Sequence, residues 1–418
     1  MKIHHLNQSD ISGGAARAAY RIHRSLIENG VESKMLVDTK LSDDSTVIQG
    51  NRSLLYKAKS IFRHKIAQQF RKRLQTGNAI LHSPAIVPSG RVKELNSLDT
   101  DMLHLHWVGS EMLSISDIGR LKKSLVWTLH DMWAFCGAEH YTDDFRWREG
   151  YSKDNRPGYE SGFDLNRYTW LRKKKQWQRS IHIVTPSQWL ANCVRQSKLM
   201  GDWPVTVIPN PIDIEKWQQI GKTQARHLLQ LKKDIPLLIF GAIGGSSDPR
   251  KGFDLLQTAL QYLKDKLPDL ELLIFGQTKP HNPPNLGFRT HYLGHLHDDL
   301  SLRIAYSATD AMIIPSRQDN LPNTGVEALA CGTPVVAFDA CGLPDIVQHK
   351  ETGYLAQAFD SQDLANGIEW VLSDKERYGL LCDQARKYAE QRFNQKTVVN
   401  QYRAVYEEVL AQPNLRPT

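Results

Sequence analysis

No run of about 18 apolar residues occurs in this sequence, so nothing in it reads as a membrane-spanning helix. Cysteine is scarce: Cys136, Cys193, Cys331, Cys341 and Cys382 stand alone, and none forms a Cys-x-x-Cys pair. An odd, scattered set is no disulfide framework and reads as buried thiols in a reducing cytosol. The opening Met1-Lys2-Ile3-His4-His5-Leu6 is too short and too polar for a secretory signal and reads as a first β-strand. There is no short internal repeat and no low-complexity tract. No aromatic-basic recognition motif of a known nucleic-acid fold appears, which argues against a nucleic-acid partner.

What remains is the composition of an ordinary globular protein, 41% hydrophobic and 23% charged over 418 residues. That length is comfortable for two cores. The net charge of +8 is unevenly placed. Residues 1–210 hold 31 Lys and Arg against 20 Asp and Glu, whereas residues 211–418 hold 22 against 25. A basic first half suits an anionic partner: a membrane surface, an anionic acceptor or nucleic acid.

Strands and helices alternate along the chain, the pattern of parallel sheets with helical crossovers. Lys2–Leu6, Met102–Trp107, Leu125–Leu129 and Ile181–Thr185 read as strands of a first series. The loop from Asn7 to Gly14 leads into a helix over Ala15–Asn29 that stops at Gly30. Val205–Ile208 ends in the double-proline break Pro209-Asn210-Pro211, where the interdomain linker is placed. A second series follows, with strands Leu237–Phe240, Leu272–Phe275, Ala311–Ile314 and Pro334–Phe338. The glycine-rich loop Gly241–Pro249 follows its first strand, and Gln395–Ala411 forms a closing amphipathic helix. The expected domains are 1–205, 206–394, and a tail 395–418 that returns to the first. Open α/β sheets bind ligands at the carboxyl ends of their strands, and two such edges facing each other make a cleft.

The sharpest segment runs from Pro315-Ser316 through Asp319, Asn323, Thr324 and Glu327 to Gly332-Thr333-Pro334-Val335-Val336. Two carboxylates lie eight positions apart, one in a loop after a strand and one in the helix beginning near Asn323. Helix N-termini suit a diphosphate, and carboxylates accept hydrogen bonds from sugar and ribose hydroxyls. This segment resembles the signature of the family 4 retaining glycosyltransferases. So do Ser12-Gly13-Gly14-Ala15, Thr128-Leu129-His130-Asp131, Thr185-Pro186-Ser187, Ile208-Pro209-Asn210-Pro211, Pro249-Arg250-Lys251-Gly252, Gly342-Leu343-Pro344-Asp345 and Thr352-Gly353. The order and spacing of these motifs cover almost the whole chain.

The resemblance implies the GT-B architecture, two Rossmann-like α/β domains facing across a cleft. It implies transfer of a hexosyl-type group, with retention, from a nucleotide-diphosphate sugar (UDP favoured) to a saccharide or lipid-linked acceptor in surface polysaccharide synthesis. Glu327 would hold the ribose, Asp319 the donor-sugar hydroxyls, and Lys251 with Arg250 the diphosphate. His130 would line the donor sugar, Gly13 and Gly14 would admit the ligand closely, and the base would be read near Gly276 and Gly294–Leu296. Asn323 and Thr324 would serve the donor from the helix start. No cofactor is expected, nor a metal, on the reading that no metal-holding Asp-x-Asp pair is present.

The sequence departs from the family at three places. Asp319 stands where Glu is common, and its shorter arm bears on which sugar is held. Asn320 and Pro322 stand where small glycines are usual, and proline offers no N–H. Gly241-Ala242 stands where an Arg is usual, so Arg250 is the substitute. The stretch Met132–Tyr141, where some relatives carry further cysteines, has only Cys136, Glu139 and His140, too few ligands for a structural zinc. It reads as an acceptor-side loop.

Leu54–Leu74 reads as a basic amphipathic helix, with Leu55, Ile61, Phe62, Ile66 and Phe70 opposite Lys57, Lys59, Arg63, Lys65, Arg71, Lys72 and Arg73. Arg172-Lys173-Lys174-Lys175 forms a second basic cluster. Both suit anionic headgroups, so peripheral contact at the inner face of the plasma membrane is expected. Two other readings compete: another enzyme of the same architecture, such as a nucleotide-sugar epimerase or phosphorylase, and a binding protein, either an inactive nucleotide-sugar sensor or a nucleic-acid binder. The Asp319–Glu327 segment and Lys251 favour transfer over the first, and the presence of both His130 and Glu327 speaks against the inactive sensor.

Overall fold

The computed structural model describes all residues except 51–52, 242–247 and 412–418, and the Leu55 side chain. The chain divides into two compact units, Met1–Ile208 together with residues from Val399 onward, and Pro209–Val398. The sequence placed the corresponding breaks at 205/206 and 394/395. Most of the glycine-rich loop falls outside the described residues.

In chain order the first unit holds β1 (Lys2–Ser9), β2 (Glu32–Thr39), β3 (Val47–Gln49), β4 (Leu74–Thr76), β5 (Met102–Leu105), β6 (Ser124–Thr128), β7 (Glu160–Gly162), β8 (His182–Thr185) and β9 (Val205–Val207). Seven of these make one parallel sheet in the order β3-β2-β1-β5-β6-β8-β9, and β4 pairs antiparallel with β7 as a separate ribbon. Sequence periodicity missed β2, because Glu32-Ser33-Lys34 opens it with polar residues. Residues 3–7 and all of β5 are buried, as expected of a parallel sheet covered on both faces. The cover includes the helix Gly14–Glu28 and the closing helix Gln395–Ala411. The latter brings Tyr402 and Tyr406, both fully buried, to hydrogen-bond Thr128 (3.2 Å) and His104 (2.7 Å).

The second unit holds β10 (Leu237–Gly241), β11 (Glu271–Phe275), β12 (Arg289–Tyr292), β13 (Ala311–Ile314), β14 (Val335–Phe338) and β15 (Gly353–Ala356). They form a parallel sheet in the order β12-β11-β10-β13-β14-β15, with its own core around Leu238, Ile239, Leu273 and Ile313. Sequence reading missed β12 and β15, which are short and only partly buried.

Both sheets share one topological feature. Strand order reverses between β1 and β5 in the first and between β10 and β13 in the second. In open α/β sheets the loops leaving such neighbours part and leave a crevice at the carboxyl edge. Among the described residues, no helix is long and apolar enough to cross a membrane.

Candidate active site

In the second unit the reversal point is built by two loops laced together. The short 3-10 turn Pro249–Lys251 is capped by Asp248, whose carboxylate accepts the Arg250 N–H at 3.1 Å. It ends at Gly252 with φ +63°, and a Cβ there would stand 1.8 Å from the Pro315 carbonyl oxygen. Only glycine allows that approach. The loop after β13 is bound to the turn through Arg317. Its backbone N–H donates to the Arg250 carbonyl (2.7 Å), and its guanidinium donates to the Pro249 carbonyl (3.0 Å) and both oxygens of Asp254 (2.7 and 2.6 Å).

This lacing brings Lys251 and Asp319 together, with Lys251 Nζ donating to Asp319 Oδ2 at 2.5 Å. Asp319 also accepts from Ser316 Oγ (3.3 Å) and the Asn320 N–H (3.1 Å), and its carbonyl accepts the Gly342 N–H (3.0 Å). A carboxylate with this many partners is held in one orientation. Arg250 is aimed differently, at the carboxylate of Asp248 (2.6 Å).

Glu327 lies buried in the helix Asn323–Ala330 and accepts a hydrogen bond from the Tyr306 hydroxyl at 2.9 Å. Tyr306 was not singled out from the sequence; its signal was only a tyrosine among the apolar positions of the helix Asp299–Ala308. The Glu327 helix sits close on the sheet because Gly325 faces Ile314 and Ile346, where a Cβ would come within 3.1 Å of both. Asn323 accepts from Asn210 Nδ2 at 3.1 Å, and Thr324 is half-buried in the first turn. Gly276, at φ +85°, gives its N–H to the Gly294 carbonyl (2.8 Å), which ties the two backbone stretches expected to read the base.

In the first unit the reversal point is formed by the loop after β1 and the residues after β5. Asp10 fixes the former by accepting N–H bonds from Ile11 (2.9 Å), Leu41 (3.0 Å) and Ser42 (2.8 Å). Gly13, at φ +91°, caps the helix that Gly14 begins, and a Cβ at either glycine would meet nothing within 4 Å. Backbone conformation, not crowding, is what requires glycine at 13.

His130 follows β6 and is half-buried in a recess lined by Trp107, Gly109, Asp131, Trp133 and His140. Burial lowers its pKa to about 4. Beside it Asp131 takes hydrogen bonds from Trp107 Nε1 (2.8 Å), the Trp133 N–H (2.9 Å) and His140 (2.6 Å). Burial acts to raise the Asp131 pKa, but His140 and these donors outweigh it and the net shift is downward. Sequence reasoning took His130 and passed over His106, Trp107 and the Asp131–His140 pair. The alternation His104-x-His106 was the available sign, since residues two apart share a face of a strand.

Several expectations need correction. Asp99-Thr100-Asp101 is an Asp-x-Asp triplet by spacing, contrary to the reading that none is present. It lies at the opposite, amino edge of the first sheet, where Asp101 accepts the Lys2 N–H (2.7 Å) and Asp99 pairs with Lys2 Nζ (2.6 Å). Met132–Tyr141 is irregular backbone without helix or strand, as a loop reading requires, but it is buried throughout. In the cluster 172–175, Arg172 turns in to the carbonyls of Pro84, Ala85 and Ile86. Lys173 is fully buried, its ammonium on the carbonyls of Trp133, Cys136 and Gly137 and 4.0 Å from the Trp133 ring centre. In the helix Leu54–Arg73 the two faces are exchanged at key positions. Arg63 is buried on the carbonyls of Val87 and Met112, whereas Ile61 and Phe62 are 58% and 57% exposed. The reason is register: Arg63, Ala67 and Phe70 recur at helical spacing and face the body of the unit.

Two family models match the chain, Glycosyltransferase Family 4 over residues 12–216 and Glycosyl transferases group 1 over residues 226–392. A D-inositol 3-phosphate glycosyltransferase of Saccharomonospora viridis is 29% identical over 226 residues, 49% of this chain and 50% of that protein. The chain matches half or less of the length of such curated relatives. Among solved structures, sucrose-phosphate synthase of Thermosynechococcus elongatus aligns with a TM-score of 0.70 at 18% identity, covering 99% of this chain and 100% of the other. Anabaena HepE, solved in complex with UDP-glucose, aligns at 0.66 and 18% identity, covering 98% and 100%. The chain belongs to the group 1, family 4 glycosyltransferases and has the GT-B fold.

Proposed function

We propose that this glycosyltransferase moves a hexosyl group, with retention at the anomeric carbon, from a nucleotide-diphosphate sugar to a saccharide or lipid-linked saccharide acceptor. The observation that carries the reading is the Lys251–Asp319 pair at the carboxyl edge of the second sheet. As the bond from the anomeric carbon to the diphosphate oxygen breaks, negative charge gathers on the leaving nucleotide. A fixed ammonium there stabilises the transition state more than the ground state. The acceptor hydroxyl forms the new bond on the same face, and its proton passes to the departing phosphate oxygen. Asp319 takes donor-sugar hydroxyls, Glu327 the ribose, and His130 lines the sugar.

UDP is the favoured nucleotide, supported by the likeness to a protein solved with UDP-glucose. The reaction is proposed to need neither cofactor nor divalent metal. The acceptor is proposed to be met at the inner face of the plasma membrane, in surface polysaccharide synthesis. Support for that contact is the helix 54–73, which exposes Ile61 and Phe62 among Lys57, Lys65, Lys72 and Arg73.

The test is a panel of UDP, GDP, ADP and dTDP sugars, scored by thermal stabilisation and slow hydrolysis in wild type and Glu327→Ala. A ligand at 100 times its Kd should stabilise by about 2.7 kcal/mol. One nucleotide class shifting the wild type but not Glu327→Ala supports the reading, and an equal shift in both overturns the assignment of Glu327. Proton NMR of the product, recorded with and without EDTA, reads retention and the metal requirement together.

A further inference from the structure

Beneath His130 lies a column of imidazoles that the proposed reaction does not use directly. His5 on β1 is paired in register with His104 on β5, and His106 lies two residues further on the same face. His5 and His104 are wholly buried, and His106 nearly so. Their rings stack, His5 on His106 at 5.1 Å and His106 on His130 at 5.5 Å between centroids. Hydrogen bonds join them in series: His5 Nδ1 to His106 Nε2 at 2.8 Å, and His106 Nδ1 to His130 Nε2 at 3.2 Å.

A neutral imidazole has one donor and one acceptor nitrogen, so such a series can run in only two directions. If His130 Nε2 carried the proton, each link would reverse and the series would end in an N–H at His5 Nε2. That atom is buried without a hydrogen-bond partner among the described residues. A buried orphan N–H is the rarer and costlier of the two endings. In the other direction His5 Nε2 ends as a bare lone pair, and every linking nitrogen is satisfied.

From this geometry we infer that His106, backed by His5, is a positioning residue that fixes His130 in the Nδ1–H form, with Nε2 accepting from His106. His130 then presents an N–H donor at Nδ1, suited to a hydroxyl or phosphate oxygen of the donor substrate. The inference rests on the proposed role of His130 only for that last consequence.

The same histidines could be read as a metal site, since ligand nitrogens of His5, His104 and His106 lie within 4.8 Å of one another. However, His104 has both nitrogens engaged, by Tyr406 and Thr128. Both His106 nitrogens and His5 Nδ1 are in the series, which leaves one nitrogen of six, too few for a tetrahedral ion.

The test is two-bond 15N–1H correlation NMR on the full chain labelled with 15N-histidine, His130 being assigned with a His130→Gln variant. The wild type should show the Nδ1–H pattern at His130. His106→Phe should lose it, and His106→Asn, whose amide can donate, should keep it. In hydrolysis of the donor found active, His106→Phe should lose about 10-fold or more in kcat with little change in KM, and His106→Asn should recover most of it. An Nε2–H pattern in the wild type overturns the inference even if His106→Phe fails to fold, as does an unchanged pattern in a folded His106→Phe. Full activity in His130→Gln with the wild-type pattern intact would instead sink the proposed role of His130 and leave the positioning standing.

Discussion

The ammonium of Lys251 lies 2.5 Å from the carboxylate of Asp319, 68 residues further along the chain. The contact joins the turn that follows the first strand of the second sheet to the loop that leaves its neighbour. Both side chains keep some solvent exposure, 22% and 12%, so the pair belongs to the range of ion pairs that contribute about 1 kcal/mol or less to stability. Its value is orientation.

Lys251→Met should therefore lower kcat for sugar transfer by about 100-fold or more while moving the melting temperature only a few degrees. Steady-state kinetics beside a thermal melt measures both. A large loss of stability with unchanged kcat would reverse the argument.

Tyr306→Phe removes one hydrogen bond from Glu327 without removing the carboxylate. A modest rise in donor KM is expected, about 10-fold at most for a contact of 1–1.5 kcal/mol. Glu327→Ala should abolish the ligand-induced thermal shift. Isothermal titration with the nucleotide alone gives the same ordering.

The first unit should be acid-sensitive. Burial lowers the pKa of His23 and His130 to about 4, of His104 to about 3, and of His5 and His106 well below the usual value. In the unfolded chain these groups take protons near pH 6.5; in the folded chain they do not. Stability is thus fully present above about pH 6.5 and falls as pH drops toward 4, by up to about 1.4 kcal/mol per pH unit for each histidine. Urea midpoints at pH 7.5, 6 and 5 should decline steeply, and a flat profile would contradict it.

Lys173 carries the same sense on the alkaline side. Burial lowers its pKa to about 7 against 10.5 unfolded, so the folded chain sheds a proton that the unfolded chain keeps. Between pH 7 and 9 the wild type should gain about 1.4 kcal/mol per pH unit relative to Lys173→Met. Comparing the two proteins cancels the other groups that titrate there.

Ile61→Ser with Phe62→Ser should weaken co-sedimentation with anionic phosphatidylglycerol vesicles and leave the melting temperature within about 1 °C, because both side chains are already exposed. Binding by the wild type should fall with added salt.

The parallel α/β organisation, the two-part chain and the motif order were readable in the sequence, and Lys251, Asp319, Glu327 and His130 could be named there as candidates. The organisation rests on local patterns, apolar runs at strand length with turn residues between them, and the four residues on the resemblance of their motifs to a known family. Which side chains meet was decided by the tertiary structure. Lys251 finds Asp319 because Gly252 lets one backbone press against another and Arg317 laces the loops. Lys173 and Arg63 sit inside, despite their charge, because unspent backbone carbonyls await them there. Their neighbours Ile61 and Phe62 lie outside because helix register leaves them no core to enter. The histidine column exists only once β1 and β5 lie side by side, since His5 is 101 residues from His106 and no pattern in either strand names the other.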